Sequence, residues 1–108
     1  MSASLPEPLS AYFTAKNRHD IDGMLAPFSD RAVVEDEGRE MRGLPAIRAW
    51  MEETTRKYRV TAEVTDVAEA AGRTVVTALV SGTFAGSPAT IRFAFVVEGG
   101  KIAHLTCG

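Results

Sequence analysis

The chain has 108 residues, a formal net charge of −2, 45% hydrophobic and 24% charged residues. That is the size of a single domain, 1–108, long enough to bury its own core, with the composition of a soluble globular protein. The slight acidity argues against a nucleic-acid partner, because phosphate binding calls for a basic face, and no apolar run is long enough to make a membrane a partner.

Ser4 and Glu7 stand at capping-box spacing with Pro6 in the first turn, and Leu9, Tyr12, Phe13 and Lys16 repeat at helical spacing. The pattern predicts a first helix from about residue 6 to 17. After Asn17-Arg18-His19, Asp20 is placed to cap a second, shorter helix whose apolar face holds Ile21, Met24, Leu25 and Phe28. Such a short connection implies an α-hairpin. Arg31 to Asp36 reads as a strand that ends in three carboxylates, Glu35-Asp36-Glu37, before a turn at Gly38. Arg39 to Arg42 reads as a short return strand. Gly43-Leu44-Pro45 then opens a third helix over about 45–57, buried along Ile47, Trp50, Met51 and Thr54.

Beyond Arg59 the period changes to two. Val60, Ala62 and Val64 alternate with polar residues, and Thr74 to Phe84, Ala89 to Val97 and Lys101 to Cys107 follow as strands. Turns at Ala71-Gly72-Arg73, Gly86-Ser87-Pro88 and Glu98-Gly99-Gly100 join them into an antiparallel meander. Helices ahead of a meander give an α+β fold, three N-terminal helices packed on the concave face of a strongly curved antiparallel sheet. A sheet so curved encloses a conical cavity, the kind of place where small ligands bind.

At this point the chain resembles the NTF2-like superfamily, which includes SnoaL-like polyketide cyclases and ketosteroid isomerases. The resemblance covers essentially the whole chain. It rests on the helix-helix-strand opening, on the acid after Ala32-Val33-Val34-Glu35, on Gly43 ahead of Ala46-Ile47-Arg48-Ala49-Trp50, and on the closing Phe95-Val96-Val97-Glu98-Gly99-Gly100-Lys101-Ile102. It implies an NTF2-like cone and leaves the activity open among isomerases, cyclases, dehydratases and binding domains. Comparison with the ketosteroid isomerases implies Asp36 as general base and Tyr12 as donor to a developing oxyanion. The second donor of those enzymes falls at Phe93, which cannot donate.

Read from the residues, Asp36 is the first choice for a base, since a carboxylate beside an apolar cavity loses solvation. Its alternative is a solvated strand end. Strand alternation then turns Glu35 and Glu37 outward. Tyr12 is either a hydroxyl donor to the cavity or a core tyrosine. The pocket lining expected from the helix and strand faces is Met24, Phe28, Trp50, Met51, Ile91, Phe93, Phe95 and Leu105. His104 takes the opposite parity to Leu105 and faces outward, and His19 is expected in solvent. Two separate histidines make no metal site. With no phosphate or dinucleotide loop, cofactor-free chemistry is the simplest option. Cys107 is the only cysteine, so an intrachain disulfide is excluded, and the first eight residues lack the pattern of a signal peptide. The expected location is the cytoplasm and the expected partners are a small apolar ligand and a second copy, a homodimer through the sheet.

The function expected is therefore a cofactor-independent isomerase, cyclase or dehydratase using a pocket carboxylate on an apolar carbonyl compound. The alternative is a non-catalytic ligand-binding or protein-interaction module of the same fold.

Overall fold

In the computed structural model, which describes residues 5–107, three helices and six strands follow in chain order. They are α1 (Glu7–Asn17), α2 (Ile21–Leu25), β1 (Phe28–Asp36), β2 (Arg39–Arg42), α3 (Leu44–Tyr58), β3 (Thr61–Ala70), β4 (Arg73–Ser81), β5 (Ala89–Glu98) and β6 (Lys101–Cys107). Ser4 of the expected capping box lies outside the described residues. Pro6 stands at the N-cap of α1 with no side-chain cap.

Asp20 does cap α2, its carboxylate accepting from the Gly23 N–H at 3.1 Å. This helix is shorter than its apolar spacing suggested. It ends at Leu25, and Phe28 begins β1 instead of closing the helical face. Pro27 accounts for the difference: it has no N–H for a helical hydrogen bond, while its carbonyl accepts from Ile102 N at 2.8 Å and starts the sheet. Helix α3 follows Gly43, whose φ of 83° favours glycine and whose N–H donates to the Ala32 carbonyl at 2.9 Å. The start of α3 is thereby tied to β1.

The strands form one sheet in the order β2-β1-β6-β5-β4-β3. The hairpins from β3 to β6 are antiparallel as expected, but the sheet is mixed, because β1 pairs with β6 in parallel. Hairpin spacing reveals neighbours joined by a turn; it is blind to a pairing between strands some seventy residues apart. Nor do all three helices precede the sheet, since the β1–β2 hairpin comes between α2 and α3.

The core lies between the helices and one sheet face. Leu9, Tyr12, Ile47 and Met51 from the helices meet Val34, Val76, Phe95 and Leu105 from the strands, all 0–1% exposed. Burying each of the large aliphatic side chains contributes about 1.5–3 kcal/mol. The aromatic centre is edge-packed: the Tyr12 ring stands 5.1 Å from Phe13, 5.7 Å from Phe28 and 5.8 Å from Phe95. Asn17 fastens the end of α1 to β3, accepting from Ala62 N at 2.7 Å and donating to Ala62 O at 3.0 Å. His19 is not the solvated loop residue expected. Its Nε2 donates to the Val60 carbonyl at 2.9 Å, a second tether at the same corner.

Candidate functional site

Beside the solid core is an open hollow of about 590 Å³, within the range of small-molecule sites. The sheet supplies a row of side chains across three neighbouring strands. Asp36 on β1 pairs with Cys107 on β6, which pairs with Phe93 on β5. Ile91 and Val80 continue the apolar wall, Trp50 and Tyr58 come from α3, and Lys16 enters from the last turn of α1. The mouth is bounded by Phe84 and Ala85. Their loop is held against the end of α3, where Thr83 N donates to the Tyr58 carbonyl at 2.7 Å. A Cβ on Gly82 would stand 2.5 Å from that carbonyl oxygen, so the close approach requires glycine.

Alternation along β1 brings Asp36 to the hollow. Ala32 and Val34 point to the core, and Asp36, two residues on, shares their face at the point where the helices no longer cover the sheet. Its Oδ2 accepts from the Trp50 indole N–H at 3.1 Å. Its other oxygen takes no hydrogen bond from the described residues. Glu35 turns outward, where its carboxylate lies 2.7 Å from His104 Nε2. Glu37, however, does not point away as simple alternation predicts. It sits in the turn at φ 53°, off the strand, and reaches the rim of the hollow, near the Arg39–Glu53 ion pair at 3.3 Å.

Of the other residues expected at the site, Trp50, Ile91 and Phe93 line the hollow. Met24, Phe28, Met51, Phe95 and Leu105 do not; they are at most 2% exposed and form the core behind it. The reason is depth. Inward parity selects a face of the sheet, but the helices close over most of that face and leave only its Asp36–Phe93 end uncovered. Tyr12 also belongs to the core and not to the lining. Its hydroxyl is fully enclosed with no hydrogen-bond partner among the described residues. Burial pushes the phenol well above its ordinary pKa, with nearby Cys107 and Asp36 adding to the effect. The hydroxyl is enclosed in the core and is not among the groups that line the hollow, so this arrangement does not present it to a ligand there.

Lys16 is the lining residue that sequence reasoning passed over. It fell on the apolar stripe of α1, three residues from Phe13 and four from Tyr12, and that spacing was the available signal. Its Nζ lies 5.5 Å from the Tyr12 ring centroid and 5.9 Å from that of Phe93. Burial lowers its pKa; the neighbouring Cys107 and Asp36 work the other way. Cys107 lies next to it on the sheet, and burial, reinforced by Asp36 and opposed by Lys16, pushes that thiol up to about 12. A thiol so disposed is protonated at neutral pH and is not a nucleophile.

A helix-covered sheet with a hollow at one end, walled in part by aromatic residues, with the Asp36 carboxylate on the sheet and Glu37 and Glu53 at the rim, defines a small-molecule-binding protein of the NTF2-like superfamily. Residues 9–105 match the SnoaL-like domain, and the chain belongs to that family. A Sinorhizobium meliloti protein provisionally named a polyketide cyclase is 35% identical, with a TM-score of 0.91 over 96% of this chain and 95% of that one. A hypothetical protein with a ketosteroid isomerase-like fold from Catenulispora acidiphila superposes with a TM-score of 0.83 at 19% identity, covering 97% of this chain and 86% of that one. A further provisional polyketide cyclase, from Xanthomonas campestris, gives 0.76 at 23% identity over 94% and 86%. No curated protein matches the chain. No helix among the described residues is long and apolar enough to cross a membrane.

Proposed function

We propose that the protein is a cofactor-independent enzyme of isomerase, cyclase or dehydratase type that acts on a small apolar carbonyl compound, with Asp36 as the general base. One observation carries this reading. Asp36 accepts the Trp50 N–H on one oxygen, has no donor on the other among the described residues, and lines a hollow whose walls include Trp50, Phe93, Ile91 and Val80. A proton on carbon is acidic only next to a group that accepts the resulting charge, which is why the ligand class is a carbonyl compound. The apolar walls suit a hydrocarbon body. The Trp50 hydrogen bond fixes the carboxylate's direction, so it need not reorganise as the proton moves.

The test is α-proton exchange of 2-tetralone, an apolar bicyclic ketone, in deuterated water. A positioned base contributes roughly 10²- to 10⁴-fold. Asp36→Asn should lose exchange on that scale while keeping the far-ultraviolet dichroism and the binding of the ketone. Undiminished exchange in the variant would remove Asp36 from the role and leave the non-catalytic binding module.

We further propose a homodimer through the outer sheet face. Val75 and Leu79 on β4 and Ala94 and Val96 on β5 turn away from the helices and remain half-buried, apolar positions on either side of the Thr77–Arg92 pair that suit a second copy. Sedimentation equilibrium should return twice the chain mass; a single-chain mass at micromolar concentration would overturn this.

A further inference from the structure

Among the described residues, Lys16 makes no ion pair and no hydrogen bond, although Asp36 shares its hollow. A surface lysine without a partner is unremarkable, because water serves it. One whose amine lies 5.5 and 5.9 Å from two aromatic ring centroids, inside a mostly apolar hollow, has lost part of that water without gaining a hydrogen-bond acceptor. We propose that Lys16 is an imine-forming residue, whose amine condenses with the carbonyl group of an apolar ketone or aldehyde held in the hollow. This rests on the reading of the hollow as a carbonyl-ligand site, but not on Asp36 taking a proton from carbon.

Two features of the surroundings favour the amine over a permanently charged ammonium. Loss of hydration disfavours the charged form and is the largest influence on this group. Of the two titratable neighbours that would restore the charge, Cys107 stays a neutral thiol at physiological pH, its pKa being about 12, which leaves Asp36 and the two ring faces to oppose the desolvation. A lysine desolvated in an apolar pocket is the usual form of an amine activated toward carbonyl compounds.

The step balances without a redox partner. The Nζ lone pair attacks the carbonyl carbon, the C–N bond forms as the C=O π-bond opens, and a nitrogen proton passes to the oxygen. The carbinolamine then loses that oxygen as water and leaves the C=N bond. Asp36, in the same hollow, is the group placed to carry the protons in both stages. A protonated imine draws electrons from the α-carbon more strongly than the parent ketone, so the same carboxylate would then remove an α-proton more easily.

The three lysines of the chain supply internal controls. Lys57 is exposed at the rim of the same hollow, and Lys101 is exposed and donates to the Ala26 carbonyl at 3.1 Å. The experiment incubates the full-length protein with 2-tetralone and sodium cyanoborohydride at pH 7, then maps the reduced adduct by peptide mass spectrometry. Holding the ketone beside one amine should concentrate the adduct on Lys16 by about tenfold or more over each other lysine. Lys16→Arg keeps the positive charge but has no amine for an imine; total incorporation should fall to the level of Lys57 and Lys101. An even distribution across the three lysines, or no adduct on Lys16, would overturn the proposal, and both are read on the wild type whether or not the variant folds. The two readings fail separately: α-exchange without trapping removes Lys16 and leaves Asp36, whereas trapping without α-exchange supports Lys16 and removes Asp36 as the base at carbon.

Discussion

The Tyr12 hydroxyl offers a sharp test of where the core ends and the site begins. It is 0% exposed and has no partner among the described residues, an arrangement that carries the desolvation cost of a polar group with nothing returned. That cost is roughly 1–3 kcal/mol. Tyr12→Phe removes the oxygen and keeps the ring, and with it the edge contacts to Phe13, Phe28 and Phe95. The gap left by one oxygen subtracts a few tenths of a kcal/mol, taking about 24 cal/mol per Å³ of void. The variant should therefore be more stable by about 1 kcal/mol, raising the thermal midpoint by roughly 4 °C. Calorimetry and urea titration measure this, and ketone exchange in the same preparation should be unchanged. A loss of stability, or a large drop in exchange, would mean that the hydroxyl has a partner, and the separation of Tyr12 from the hollow would be wrong.

Cys107 gives a pH-dependent prediction whose sign follows from its environment. Its folded pKa of about 12 lies above the ordinary thiol value of 9.0, so the unfolded chain ionises first and stability falls as pH rises through that window, amounting to about 1.4 kcal/mol by pH 10. Cys107→Ala should lack this decline between pH 9 and 10 in urea titrations; an identical decline in both proteins would refute the assignment. For the proposed dimer, Leu79→Glu places a charge on the outward patch without touching the hollow and should weaken association by at least about tenfold in sedimentation equilibrium.

Much of the architecture is legible in the sequence. Apolar residues at helical spacing marked α1 and α3, a change to period two at Arg59 marked the meander, and glycine-containing turns separated its strands. These are local properties of neighbouring residues, so the chain displays them directly. The exception at Phe28 was also local. It is apolar at helical spacing, but Pro27 ends the helix and gives its carbonyl to the sheet. The carboxylate at Asp36 was legible for a similar reason: alternation from Ala32 and Val34 carries its side chain to their face.

What the chain alone determined, then, was the set of elements, the inward faces of most of them, and one acid at the end of an apolar strand. Tertiary packing decided the rest. The parallel pairing of β1 with β6 set Asp36 beside Cys107 and Phe93, residues far along the chain whose meeting no local pattern records. How far the helices extend over the sheet separated Phe95, Leu105 and Tyr12 in the core from Phe93 and Ile91 in the hollow, although all lie on inward faces. The same geometry turned Lys16 from one more residue on an apolar stripe into an amine that lines the cavity with no ion pair among the described residues. Periodicity reports direction, and only the packed structure reports depth.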